Sequence, residues 1–149
     1  ELPEAELPHL VICGRRGWLS DDLFRRLDTS PLRGRVLHEF NDLDDSALAA
    51  LMAQGAGALF PSLAEGFGLP PAEAAAAGLP VICNDLPIFR EVLADIPVYA
   101  SVSDLYAWKQ AIIELARQAR QDRNAGRNRG PDFTPPDWDG HFNVVLNVT

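Results

Sequence analysis

Two glutamates eight positions apart, Glu65 and Glu73, enclose the run Gly66-Phe67-Gly68-Leu69-Pro70-Pro71-Ala72. Glycines have no side chain to hold a ligand away, so backbone N–H groups there can close on one. Together with the positive end of a helix dipole, such groups suit a diphosphate. Pro70 and Pro71 have no N–H, which leaves Gly66, Phe67, Gly68 and Leu69 as the useful donors. A carboxylate in the first turns of the helix, such as Glu73, can accept two hydrogen bonds from a vicinal diol, as an acidic residue does with ribose in dinucleotide sites. A loop running back over the helix start would bring Glu65 to the same ligand. Diphosphate, ribose diol and a second polyol together describe a nucleotide sugar. The residues alone leave a second reading equally open, a Gly-Pro turn with two surface glutamates.

Chemistry of this kind needs a strand that delivers Glu65 and a helix that begins near Leu69. Ala58-Leu59-Phe60-Pro61 reads as the strand, and Ala72 to Ala77 as an alanine-rich helix with prolines in its first turn and Gly78 as its stop. The same alternation runs along the chain. Leu10-Val11-Ile12-Cys13 is a strand entering the loop Gly14-Arg15-Arg16-Gly17. Ser20-Asp21-Asp22 opens a helix to about Leu27, and Arg35-Val36-Leu37-His38 is a second strand. Asn41 to Asp45 caps a helix that carries Leu48, Leu51 and Met52 and ends at Gly55. Leu79 to Cys83 is a fourth strand, followed by a helix holding Phe89, Val92 and Leu93, and Val98-Tyr99-Ala100 is a fifth. Ser103-Asp104 caps a longer helix with Leu105, Trp108, Ile112 and Leu115 on one face. Short apolar strands alternating with helices predict an α/β domain, a parallel sheet with helices on both faces that binds ligands at its C-terminal strand ends. The expected organisation is one domain over 1–149: a core over about 10–118, a polar link over 119–134 and a terminal helix over 135–149.

With 149 residues, 47% of them apolar and 23% charged, the chain has the size and composition of one globular domain with one core. A net charge of −8 argues against nucleic acid as a partner, which calls for a basic face. It does not argue against an anionic small ligand held by amides. His9, His38 and His141 stand apart, and no Cys/His cluster has metal-ligand spacing. Cys13 and Cys83 each close a short apolar run and are expected to be reduced, buried thiols. No Gly-Lys-Ser/Thr phosphate loop is present. Met52 is the single methionine and the chain opens at Glu1, so it reads as an excised piece of a longer protein. No apolar run approaches the about 18 residues that span a membrane, and a cytoplasmic location is expected.

The run Phe60-Pro61-Ser62-Leu63-Ala64-Glu65-Gly66-Phe67-Gly68-Leu69-Pro70-Pro71-Ala72-Glu73-Ala74, followed by Gly78-Leu79-Pro80-Val81-Ile82, closely resembles the signature of retaining GT-B glycosyltransferases of family 4, the glycosyltransferase group 1 family. That signature is two glutamates with seven residues between them, and Glu65 and Glu73 match it. Gly14-Arg15-Arg16-Gly17-Trp18 looks like the family's Gly-x-x-Gly-Trp loop. Arg35-Val36-Leu37-His38 with Asp44-Asp45-Ser46-Ala47-Leu48 resembles its nucleotide-base strand and following helix, and Asp85 to Val92 also fits. The likeness covers about Leu10 to Leu115.

The resemblance implies a Rossmann-like fold, the C-terminal half of a GT-B architecture with the N-terminal part of that domain missing. It implies a hexosyltransferase acting with retention, with Glu65 on the transferred sugar and Glu73 on the ribose hydroxyls. Amides of Gly66, Phe67, Gly68 and Leu69 would hold the diphosphate and sugar, with Gly14 among the donor-binding residues. The segment after the second strand, His38, Glu39 and Phe40, would line the base, although His38 reads equally well as a packed strand-end histidine. Arg15 and Arg16 read as solvated loop charges before phosphate ligands. The implied donor is a nucleotide sugar such as GDP-mannose or a UDP-sugar, with no cofactor and no metal. The implied acceptor is a glycan or lipid-linked sugar of cell-surface polysaccharide synthesis, and the intact enzyme would associate peripherally with the membrane.

The family's Arg and Lys that clamp the diphosphate have no match, since Lys109 is the single lysine and sits on a late helix. The acceptor domain is likewise unmatched, so the chain alone is expected to show little transfer. A GT-B isomerase of the 2-epimerase type and a non-catalytic nucleotide-sugar module are the alternatives.

Overall fold

In a computed structural model, residues 7–17, 20–125 and 133–135 are described. Trp18 and the terminal helix expected over 135–149, apart from its first residue, lie outside them. The chain divides into two compact units, Glu1–Leu48 and Ala49–Thr149. The division falls inside a helix over Asp45–Gln54. Among the described residues the fully buried ones all belong to the second unit, because the first has two strands and one short helix of its own to cover them.

In the first unit, β1 (Leu10–Cys13) pairs in parallel with β2 (Leu37–Phe40), with Leu10 opposite Leu37 and Cys13 opposite Phe40. Helix α1 (Asp21–Asp28) connects them, with Asp21 and Asp22 in its first turn and Arg25 and Arg26 in its last, each favourable to the helix dipole. The second strand begins two residues later than expected. Arg35, Val36 and Leu37 all donate their amides to the Leu32 carbonyl, at 3.0–3.1 Å, so a tight turn consumes Arg35 and Val36. As a result Glu39 and Phe40 lie on the strand itself, with His38, rather than after it. Helix α2 (Asp45–Gln54) is capped by Asp44, whose Oδ1 accepts the Ala47 amide at 2.8 Å.

The second unit is a three-stranded parallel sheet in the order β3 (Ala58–Phe60), β4 (Val81–Cys83), β5 (Val98–Tyr99). β4 is central and wholly buried, so its alternation separates two apolar layers. Val81 and Cys83 pack with Ala72, Ala74 and Ala75 of α3 (Leu69–Ala76) and with Phe89 and Leu93 of α4 (Pro87–Leu93). Ile82 faces the other way, onto Ala100, Trp108 and the Ile112–Leu115 stretch of α5 (Leu105–Ala125). Each buried side chain of the size of Phe89, Ile82 or Leu93 contributes about 1.5–3 kcal/mol. This is the predicted α/β, Rossmann-like arrangement of parallel strands with helices on both faces.

The expected polar link over 119–134 starts later than anticipated. Helix α5 continues to Ala125 because Ala119 is buried and Asp122, also buried, accepts the Gln118 amide group at 3.0 Å. Trp108 fixes the other end of this helix, its Nε1 donating to the carbonyls of Ala100 and Ser101.

Candidate functional site

The C-terminal end of β3 opens into the loop over 61–68, and α3 starts immediately after it. Gly68 makes that junction. Its backbone is left-handed, φ 79° and ψ 41°, and a Cβ there would stand 2.9 Å from Cε1 of the fully buried Phe89. Only glycine meets both conditions. Pro70 and Pro71 occupy the first helical turn, and no side chain caps it. Among the described residues no acceptor takes the N–H groups of Gly66, Phe67, Gly68 or Leu69. Four donors at a helix start, with two prolines that add none, make an anion-directed mouth. Gly66 and Phe67 are exposed, as are the carboxylate-bearing Glu65 and Glu73. Glu65 accepts the Ser62 hydroxyl on Oε1 at 2.8 Å. The residues of the glutamate motif therefore sit on one loop–helix junction at the end of a parallel strand, where such sheets bind ligands.

Sequence reasoning passed over two residues beside this loop. Asn84 follows β4, is 7% exposed, and donates through Nδ2 to the Ser62 carbonyl at 2.8 Å. Ser62 in turn holds Glu65. The signal was a polar residue placed directly after the all-apolar Val81-Ile82-Cys83, which reads as an ordinary turn without its partners.

The remaining candidates lie in the first unit. Gly14 has φ 126° and donates its amide to the Phe40 carbonyl at 3.0 Å, extending the β1–β2 ladder. His38 stacks on His9 with ring centroids 5.1 Å apart, and His9 Nδ1 lies 3.0 Å from His38 Nε2. Phe40 is exposed at the strand end.

Arg16 is exposed, as a loop charge is expected to be, but it is ion-paired. Its guanidinium donates to both carboxylate oxygens of Asp28 (2.6 and 2.9 Å) and both of Glu39 (2.6 Å each), and it lies over the Phe24 ring. Arg33 joins the same two acids, bonding Asp28 and standing 3.5 Å from Glu39. The hydrogen bonds from Arg16 pull the Asp28 carboxyl down to about 2 and lower that of Glu39. Glu39 is thus committed to Arg16 and Arg33, while Arg15 is exposed. Of the two thiols expected to be buried, one is. Cys83 is buried, and desolvation raises it to about 12, whereas Cys13 ends an edge of a two-stranded sheet and is exposed. Among the described residues no three His, Cys, Asp or Glu side chains converge as a metal site, and no helix is long and apolar enough to cross a membrane.

Comparison with known proteins supplies the wider context. The chain is 39% identical over 93 residues to serotype-specific mannosyltransferase WbdA of Escherichia coli, a stretch that is 62% of this chain and 11% of that protein. It is 36% identical over 107 residues to O-antigen chain mannosyltransferase RfbU of Salmonella typhimurium, covering 69% of this chain and 29% of that one. It is 34% identical over 100 residues to MMP alpha-(1->4)-mannosyltransferase of Mycolicibacterium hassiacum, covering 63% and 24%. The chain therefore spans under a third of each of these relatives. The pattern of the family described as glycosyl transferases group 1 matches residues 2–118. With that match extending over most of its length, the chain belongs to the glycosyl transferases group 1 family.

Proposed function

We propose that this chain is the donor-binding part of a retaining glycosyltransferase, drawn from the C-terminal domain of a GT-B architecture. The whole enzyme transfers a hexose from a nucleotide-diphosphate sugar to a glycan or lipid-linked acceptor in cell-surface polysaccharide synthesis. The observation that carries this reading is the set of amides at Gly66 to Leu69 that no acceptor takes among the described residues, flanked by the exposed carboxylates of Glu65 and Glu73. In this reading the amides hold the diphosphate, Glu73 takes the ribose diol and Glu65 faces the transferred sugar. As the sugar leaves, charge grows on the diphosphate. Donors already aimed at it lower the barrier, because they need no reorganisation as that charge forms. The leaving phosphate then helps to take the proton of the acceptor hydroxyl, on the face that retains configuration. For the first unit, Gly14, His38, Glu39 and Phe40 are assigned to donor recognition by family resemblance alone.

The mannosyltransferase names of the relatives make GDP-mannose the first donor to test. The intact enzyme works with its acceptor domain at the cytoplasmic face of the membrane, where nucleotide sugars and lipid-linked acceptors meet. Saturation-transfer NMR of this chain with GDP-mannose and UDP-glucose tests the reading. Transfer to ribose and sugar protons of one nucleotide sugar is expected, and it should be lost in Glu73→Ala. Transfer that survives in Glu73→Ala contradicts the ribose role, and no transfer to any nucleotide sugar, here or in the full-length protein, removes the reading.

A further inference from the structure

The loop that carries Glu65 is tied down by one buried side chain. Asn84 Nδ2 donates to the Ser62 carbonyl at 2.8 Å, and Asn84 Oδ1 accepts the amides of Asp85 at 2.9 Å and Val102 at 3.2 Å. Its own amide donates to the Phe60 carbonyl at 3.0 Å. A single residue thereby joins the ends of β3 and β4 to the segment after β5, with every polar atom of its side chain used. A buried amide so placed is costly to disturb, because each lost partner leaves a desolvated group unsatisfied. The next link runs outward: the Ser62 hydroxyl donates to Glu65 Oε1 at 2.8 Å. Glu65 is exposed and would otherwise sample many rotamers, all of which a ligand would have to restrict. Fixing Oε1 leaves Oε2 for a ligand hydroxyl.

We propose that Asn84 and Ser62 are positioning residues for Glu65. Asn84 sets the Ser62 backbone, and the Ser62 hydroxyl sets the carboxylate that faces the donor's sugar. This rests on the donor reading above and names the device that prepares one of its groups. Neither residue touches the ligand. Their effect should appear only where the sugar is present and only through Glu65.

The test compares GDP-mannose with GDP, by calorimetric titration of the whole chain. Ser62→Ala should weaken GDP-mannose about tenfold, the scale of one hydrogen bond to a charged group, and leave GDP unchanged. Ser62→Thr, which keeps the hydroxyl, should restore the wild-type preference. In a Glu65→Ala background Ser62→Ala should have no further effect. Asn84→Asp replaces the donor to Ser62 with a buried carboxylate oxygen that the Ser62 carbonyl repels, and should act in the same direction. If its melt shows unfolding, the Ser62 variants decide the matter alone. Two results overturn the proposal: Glu65→Ala loses the sugar preference while Ser62→Ala keeps it, or Ser62→Ala weakens GDP and GDP-mannose alike. Failure of the donor reading is distinct from both. There Glu65→Ala itself leaves GDP-mannose unaffected, and the positioning role falls with it.

Discussion

At Gly68 the backbone conformation and the packing make the same demand. A side chain there would be strained by its positive φ and would press on the buried ring of Phe89. Gly68→Ala should cost about 2–5 kcal/mol, the sum of a left-handed backbone penalty and a local overpacking term, read as a shift in urea midpoint at constant slope. An unchanged midpoint would mean that the loop–helix junction is not as described. The thiols give a second check at this scale. Buried Cys83, raised to about 12, should resist a disulfide reagent in the native protein and react only on unfolding, while exposed Cys13 reacts at once. Two fast thiols would contradict the burial of β4. The spacing of Glu65 and Glu73 was legible in the sequence because both lie within one local segment. Asn84 and Ser62 were not, because their bond joins residues 22 positions apart and exists only once β3 and β4 are paired.

Elements were legible where local signals suffice. Asp44 before an apolar helical pattern marked the start of α2, and Gly78 the end of α3. Removing the Asp44 cap should lower stability by about 1 kcal/mol, measured as Asp44→Ala against Asp44→Ser, with the serine variant close to wild type. A loss of equal size in both would deny the cap. The start of β2 was misplaced because the turn on the Leu32 carbonyl competes with strand pairing for the amides of Arg35 and Val36. The ion pairs of Arg16 were not legible, because α1 and β2 bring Asp28 and Glu39 to it from positions 12 and 23 residues away.

That ion-pair network has a pH signature. Hydrogen bonding to Arg16 lowers both carboxyls, so its stabilisation is complete above their ordinary values near about 4. It is lost as pH falls through their folded values, for Asp28 about 2. The stability gap between wild type and Arg16→Ala should therefore be widest near neutrality and close as the pH drops across that window. A gap independent of pH would contradict the pairing.

At the scale of the molecule, an acidic chain of net charge −8 is assigned an anionic ligand. In the proposed reading the resolution lies in the backbone: uncharged amides at one helix start would hold the anion, which the total charge does not report. Composition indicated a globular domain and argued against a nucleic-acid partner, while the alternation of short apolar strands with helices set the class of fold. Neither said anything of the division into two units, which depends on how much apolar surface each segment can bury. The central claim is that the amides of Gly66 to Leu69 receive the donor's diphosphate. The most direct measurement is an amide NMR titration of the 15N-labelled chain with GDP-mannose and with GDP. The Gly66, Phe67, Gly68 and Leu69 resonances should move together and saturably with both ligands. Saturable binding that leaves these four resonances in place would contradict the claim.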